Sequence, residues 1–268
     1  MANGGDLLDA CAEAVRRGGA VLAERFGRPR TIEHKGAIDL VTDADHASEA
    51  AVLSFLRARF PGAAILAEES GQHGQAAGAE LRFFVDPLDG TTNYAHGVPH
   101  FSATVGVADR EGLVAGAILD PLRGELFTSI RGGGAFRGGT RLLVSRCDRL
   151  VDALLVTGFA YDSHRNAARA LRAFGDFTVR VTSIRRSGSA ALDLAYVAAG
   201  RYDGFWEERL HPWDIAAGTL MVREAGGRVT DLEGGDGMLA SGDILAAPPA
   251  LLGPMLEVLR GGGERERA

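Results

Sequence analysis

The chain has 268 residues, 46% of them hydrophobic and 24% charged, with a formal net charge of −6. That composition suits a water-soluble globular protein of one large or two modest domains, and the acidic balance excludes bulk electrostatic attraction to nucleic acid or an anionic membrane. Cys11 and Cys147, the only cysteines, form neither a disulfide framework nor a CxxC zinc pair, which fits a reducing cytoplasm.

Met1–Ala10 contains acid and no apolar core, so no signal peptide is expected. No apolar run approaches the roughly 18 residues of a membrane span. The spacing of Leu8, Ala12, Val15, Leu22 and Phe26 predicts a helix over Asp6–Phe26, closed by Gly27. A second helix follows Thr42 and runs to about Phe60, where Pro61-Gly62 stops it. Ala64–Glu68 reads as a short strand and 71–80, rich in Gly, Ala and Gln, as a loop. Leu81–Val85 is an apolar strand that delivers Asp86. Four β-like runs separated by glycine turns (Phe101–Ala108, Leu113–Leu119, Glu125–Ile130, Leu142–Ser145) predict an antiparallel meander. Beyond Leu150, strands (Leu154–Thr157, Thr178–Thr182, Gly204–Glu207, Arg228–Asp231) alternate with helices (Arg165–Phe174, Ser187–Ala199, Asp214–Ala225, Leu251–Arg260). The change of pattern divides the chain at residue 150 into an N-terminal α+β subdomain (1–150) and a C-terminal α/β subdomain (151–268). Gly261–Ala268 reads as a frayed tail.

The densest chemistry is Asp86-Pro87-Leu88-Asp89-Gly90-Thr91-Thr92-Asn93. Two carboxylates three apart around a proline are held in a fixed turn, and Gly90 permits close backbone approach to a ligand. A helix starting there would point free N–H groups at an anion, and hard carboxylate oxygens beside a phosphate cradle suit Mg²⁺. Taken alone, the segment is equally a turn with acidic caps. The other acids also have local explanations. Glu68-Glu69 fits a solvated strand edge, Thr42-Asp43-Ala44-Asp45 has capping-box spacing, and Asp214 fits a first-turn acid favoured by the helix dipole. The conjunction is what points to chemistry. Asp45, Glu68, Asp86, Asp89 and Asp214 all fall at junctions that tend to converge on one sheet edge, and an all-oxygen site selects Mg²⁺ or Mn²⁺ over zinc.

These segments together resemble the inositol monophosphatase family. Asp-Pro-Leu-Asp-Gly-Thr-Thr-Asn (86–93) is similar to its first signature and Trp-Asp-Ile-Ala-Ala-Gly (213–218) to its second. Glu68-Glu69-Ser70 resembles its Glu-Glu-Ser element, and Gly188–Gly200 the helix between the signatures. Order and spacing agree from about Asp6 to Arg260. The resemblance implies an α/β/α/β/α five-layer sandwich, a homodimer, and inhibition by lithium. It implies that Glu68, Asp86, Asp89, Asp214 and the Leu88 carbonyl hold two or three Mg²⁺ ions, Mn²⁺ being an alternative. Thr91 and Glu68 would position the attacking water, Thr42 and Asp45 would support it, and Lys35 would lie near the phosphate. Gly90 and Thr91 N–H groups would hold phosphate oxygens. Glu207 would grip substrate hydroxyls beside Gly188, Ser189 and Ala190. The chain departs from the usual pattern at Ala240-Ser241-Gly242 and at Ala160, neither an expected ligand.

The expected reaction is Mg²⁺-dependent hydrolysis of a small phosphate monoester, myo-inositol monophosphate foremost. Histidinol phosphate and fructose 1,6-bisphosphate are the alternatives within the superfamily, and 3′-phosphoadenosine 5′-phosphate is disfavoured by the lack of an adenine-binding element. Asp86 and Asp89 lack the Asp-x-Asp spacing of a phospho-aspartyl enzyme. No Gly-x-Ser-x-Gly or P-loop is present. A non-catalytic regulatory scaffold is the reading from another class, and neither nucleic acid nor membrane is an expected partner.

Overall fold

The computed structural model describes residues 3–28, 32–34, 40–160, 163 and 166–261. The elements in chain order are α1 (Gly4–Arg25), β1 (Ile32–His34), β2 (Leu40–Thr42), α2 (Asp43–Arg59), β3 (Ala64–Ala67), β4 (Gly71–His73), β5 (Arg82–Asp89), α3 (Thr91–Ala95), β6 (Ser102–Asp109), β7 (Gly112–Asp120), β8 (Glu125–Ile130), β9 (Gly134–Arg137) and β10 (Thr140–Arg141). There follow β11 (Leu154–Thr157), α4 (Ala168–Thr178), β12 (Ser183–Arg185), α5 (Ala190–Ala198), β13 (Gly204–Glu207), α6 (Pro212–Glu224), β14 (Arg228–Thr230), α7 (Met238–Ser241), β15 (Ile244–Ala247) and α8 (Pro249–Leu259).

Local chemistry sets the helix starts. Asn3 caps α1 reciprocally with Asp6, Thr42 caps α2 with Asp45, and Pro212 occupies the first turn of α6, where its missing N–H costs nothing. β6, β7 and β8 are three strands of the expected meander, β5 precedes them and β9 and β10 extend it, and β3 joins the edge of β5 in parallel to give an eight-stranded sheet ordered β10-β9-β8-β7-β6-β5-β3-β4. A five-stranded sheet is ordered β12-β11-β13-β15-β14. Helices α1 and α2 cover one face of the large sheet, and α5 and α6 lie between the two sheets. α4 and α8 pack together and against the outer side of the small sheet. This is the five-layer α/β/α/β/α arrangement. Among the described residues no helix is long and apolar enough to cross a membrane.

The middle layer sits close because of two glycines. Gly106 and Gly116 face each other across β6 and β7, directly beneath α6. A Cβ at Gly116 would stand 2.9 Å from Ala217 Cα, and one at Gly106 would stand 3.0 Å from Ala217 N. Backbone-to-backbone approach of this kind is open only to glycine, and it fixes the height at which the start of α6 meets the sheet.

Several elements differ from expectation. α1 buries Leu7 fully, while Leu8 and Phe26 are only partly covered. The loop expected over 71–80 begins with β4, an edge strand that pairs with β3 and whose His73 contacts Arg57 and Ser70. β5 runs past Val85 to Asp89, with a register break between Asp86 and Asp89 that accommodates Pro87. Leu142–Ser145 is not a strand. Leu142 donates to Ala135 O, but Val144 N–H turns away to Ala225 O in the α6–β14 turn, so the segment crosses between the sheets. α4 continues to Thr178 because buried Phe177 stacks on Trp206 at 4.4 Å, displacing the expected strand to β12. α5 starts at Ala190 rather than Ser187, since Ser187 and Gly188 present their carbonyls to Asn93. β15, apolar and buried on both faces, and the single-turn α7 carry no periodicity that would reveal them.

Gly116→Ala is expected to destabilise the protein by about 1–3 kcal/mol through overpacking against α6. Gly62→Ala, where an added Cβ meets nothing within 4 Å, is expected to leave the urea midpoint in place. Equal midpoints for the two variants would contradict the close α6–sheet approach.

Candidate active site

A pocket of about 110 Å³ opens where the C-terminal end of β5 meets the starts of α5 and α6. Glu68, Asp86, Asp89 and Asp214 all line it, with Leu88, Gly90 and Thr91. Four junctions from both halves of the chain are therefore brought to one place. Glu68 follows β3, and its N–H is held by Val85 O at 3.1 Å. The next N–H, of Glu69, is held by Glu49 Oε2 at 2.9 Å. Asp86 is 2% exposed, and its Oδ1 accepts from Leu88 N–H at 2.9 Å, closing a tight turn around Pro87. Ser48 of α2 donates to Pro87 O at 2.8 Å and anchors that turn from below. Gly90 adopts φ +100, and a Cβ there would meet Gly188 O at 3.0 Å, so glycine is what lets the signature loop come this close to the α5 loop.

Asp89 is the tie between the halves. Its Oδ1 accepts from Ala190 N–H at 3.1 Å, and its Oδ2 accepts from Ala191 N–H at 2.9 Å, Ser102 Oγ at 3.3 Å and the Ser189 hydroxyl. These are the free donors of the α5 N-terminus, which favours a negative charge. Asp214, half-buried at the start of α6, accepts from His211 N–H at 2.7 Å.

Beside the acids, Thr91 Oγ1 lies 3.0 Å from Asp45 Oδ1 and 3.0 Å from Leu88 O. Asp45 is fully buried, and its Oδ2 accepts from Thr42 N–H at 2.8 Å and Thr42 Oγ1 at 2.6 Å. The capping box of α2 and a Thr91–Asp45 contact are thus the same carboxylate serving both roles. Lys35 lies outside the described residues.

Burial pushes the Asp86 carboxyl well above the usual carboxylate range, and repulsion from Glu68, Asp89 and Asp214 adds to it. Asp214 is raised by burial and then by Glu68, with the His211 N–H pulling the other way. Asp89 is raised by burial, offset by its Ser189, Ala191 and Ala190 donors. A cluster of acids that hold protons against their own repulsion is relieved by cations. The donors are all hard oxygens, four carboxylates and the Leu88 carbonyl, which fits Mg²⁺ or Mn²⁺. Among the described residues no three His, Cys, Asp or Glu side chains already form a metal cage. The fit is therefore one of donor chemistry, with the acids sharing a pocket but not yet a coordination geometry.

At the far side of the pocket stand Glu207, Gly188, Ser189 and Ala190, as expected, together with Arg186, Asp193 and Arg209. Glu207 is 8% exposed and burial raises it to about 8, with Arg186 opposing. It lies against Gly158, where any side chain would collide with its carboxylate. Arg186 and Asp193 are not among the site residues that the motifs single out. The signal for Asp193 was an acid alone in the apolar run Ala190–Ala198. Arg209, with φ +59, is the one non-glycine in the left-handed region among the described residues. Its N–H is held by Asp243 Oδ1 at 3.1 Å, and no sequence pattern announces that conformation.

A layered α/β/α/β/α protein with a cluster of carboxylates at the strand ends suits the chemistry of phosphate-ester enzymes. The family profile described as the inositol monophosphatase family matches residues 6–260. The chain is 41% identical over 256 residues to the Nus factor SuhB of Salmonella typhimurium, covering 95% of this chain and 96% of that protein. It is 40% identical over 256 residues to an inositol-1-monophosphatase of Mesorhizobium japonicum, with the same coverage. The crystal structure of the extragenic suppressor protein suhB from Bartonella henselae superposes with a TM-score of 0.91 at 39% identity, covering 96% of this chain and 99% of that one. The chain belongs to the inositol monophosphatase family, and is thereby a phosphoric monoester hydrolase.

The raised carboxyls make stability depend on pH. In the folded protein Asp86, Asp89 and Asp214 keep protons that the unfolded chain has lost. Their contribution to stability is fully present below about pH 4 and is lost as pH rises through the raised values. In EDTA the melting temperature is expected to fall as pH rises above the ordinary carboxylate range, more steeply for wild type than for Asp214→Asn. Added Mg²⁺ is expected to raise it most at the upper end. A Mg²⁺ effect independent of pH would contradict the cluster's role.

Proposed function

We propose that the protein hydrolyses a small polyol phosphate, myo-inositol monophosphate foremost, with Mg²⁺ held by Glu68, Asp86, Asp89, Asp214 and the Leu88 carbonyl. The observation that carries this is the convergence of those acids with Thr91–Asp45 on one side of a pocket whose other side presents Glu207. Two or three Mg²⁺ ions, when bound, supply Lewis acidity toward phosphoryl oxygens and neutralise their charge.

The chain's own residues do the rest. Thr91 has one hydroxyl proton and two acceptors, Asp45 Oδ1 and Leu88 O, so a lone pair stays free to accept from a water in the pocket. Glu68 offers that water a second acceptor. As the water oxygen attacks phosphorus, its proton passes to this pair, with Asp45 drawing on the Thr91 hydroxyl and Thr42 fixing Asp45. The phosphorus–oxygen bond to the polyol breaks and the leaving oxygen takes up a proton. Gly90 and Thr91 present backbone to the phosphate, and Glu207 accepts from polyol hydroxyls beside Gly188, Ser189 and Ala190. Histidinol phosphate and fructose 1,6-bisphosphate are the competing substrates. We assign the protein to the cytoplasm as a homodimer, with the metal-bearing residues mostly in 1–150 and Asp214 and the substrate wall in 151–268.

A second reading draws support from the Salmonella relative, whose name is Nus factor. On that reading the same fold also serves a macromolecular partner in a regulatory role that needs no turnover.

Phosphate release from myo-inositol 1-phosphate, histidinol phosphate, fructose 1,6-bisphosphate and 3′-phosphoadenosine 5′-phosphate is expected to be fastest for the first. It should stop in EDTA. Thr91→Val is expected to lower kcat by about 10²-fold or more, the usual contribution of a positioned proton acceptor. No release from any of the four in Mg²⁺ would move the assignment to the regulatory reading.

A further inference from the structure

The substrate wall holds one carboxylate with no evident structural task. Asp193 sits in the first turn of α5, whose neighbours Ala191, Leu192, Leu194 and Ala195 are fully buried. It is itself 1% exposed and lines the pocket. The Ser187 side chain hydrogen-bonds to it, yet its Oδ1 is buried with no partner. A first-turn acid gains from the helix dipole, but that gain is available at the surface and does not require an unsatisfied oxygen. Leaving such an oxygen buried is unfavourable, so packing and capping alone do not account for the residue.

Its surroundings indicate what the oxygen can accept. Glu207 faces the same space, and its charge acts on Asp193. Arg186 stands at the rim, its Nη1 3.1 Å from where a Cβ of Gly188 would be, and its charge acts on both acids. A cationic ligand group would meet acids already answered by a guanidinium, and would be repelled by it. Neutral hydroxyl donors meet no such repulsion. Two carboxylates side by side accept from two hydroxyls side by side.

We infer that Asp193 is a specificity-determining residue that, with Glu207, accepts hydrogen bonds from adjacent hydroxyls of a polyol phosphate, in the field of the nearby Arg186 charge. This rests on the phosphatase reading above and adds the feature of the substrate that is recognised. It favours ring polyols over substrates whose distal group is an ammonium.

The test compares wild type, Asp193→Asn and Arg186→Gln on myo-inositol 1-phosphate, histidinol phosphate and p-nitrophenyl phosphate, which has no hydroxyl to read. Asp193→Asn is expected to raise KM for inositol phosphate about tenfold more than KM for p-nitrophenyl phosphate, as for one lost hydrogen bond. Arg186→Gln is expected to shift selectivity toward histidinol phosphate. A deoxy-inositol phosphate lacking one of the adjacent hydroxyls should lose the same factor with wild type and nothing further with the variant. Equal losses on all substrates, no loss on any, or a selective loss on histidinol phosphate would overturn the inference. If wild type turns over none of them, p-nitrophenyl phosphate included, the phosphatase reading itself fails and this one with it.

Discussion

Carboxylates repel one another, and this fold gathers six of them into one pocket, four on one side and two on the other. Burying an ionised acid costs several kcal/mol unless it is paired, so the arrangement needs compensation close at hand. Part of it is built from backbone. Asp86 receives the Leu88 N–H, Asp214 the His211 N–H, and Asp89 the Ala190 and Ala191 N–H groups that α5 would otherwise leave open. The remainder is the raised proton affinity of the acids themselves, which is the same property that makes the pocket receptive to divalent cations.

Much of the architecture serves that convergence. β5 must carry Asp86 and Asp89 past the end of its regular pairing, and the break in register with β6 allows this. α6 must approach the sheet closely enough to deliver Asp214, and the facing glycines 106 and 116 permit it. α5 must begin late, after Gly188, so that its N-terminus points at Asp89 while Asn93 holds the preceding loop. Displacing any one of these would separate charges that are useful only together.

The pocket is also graded in character. One side is acidic, with Thr91 and Asp45 beside it. The other combines two buried acids with a guanidinium and glycines that leave room for them. A phosphate ester can lie with its charged end toward the first and its neutral end toward the second, which links the chemistry of the site to its choice of substrate. Arg209, held in a left-handed conformation between Glu207 and α6, shows that the connection on this side is constrained too.

Most helices, the strands β6 to β8 and the acids themselves were legible in the chain, because capping residues, apolar periodicity and turn glycines act over a few residues and leave local marks; the five-layer class came with the family resemblance, not with those marks. Asp86–Asn93, Glu68 and Trp213–Gly218 are compact motifs whose order along the chain carries the family. What tertiary structure alone decided are features set by distant partners. The length of α4 depends on Phe177 meeting Trp206, the absence of a strand at Leu142–Ser145 on Val144 bonding to Ala225, and the place of β15 on burial from both faces. The same holds within the site. Asp45 looked like a helix cap until Thr91, 46 residues away, turned its hydroxyl onto it, and nothing local marks Asp193 as an acid that folding buries in the same pocket as Glu207. A sequence displays the groups a residue carries and its near neighbours. Which groups are desolvated together is settled only when the sheets and helices close over them, and desolvation is what turns these acids into a site.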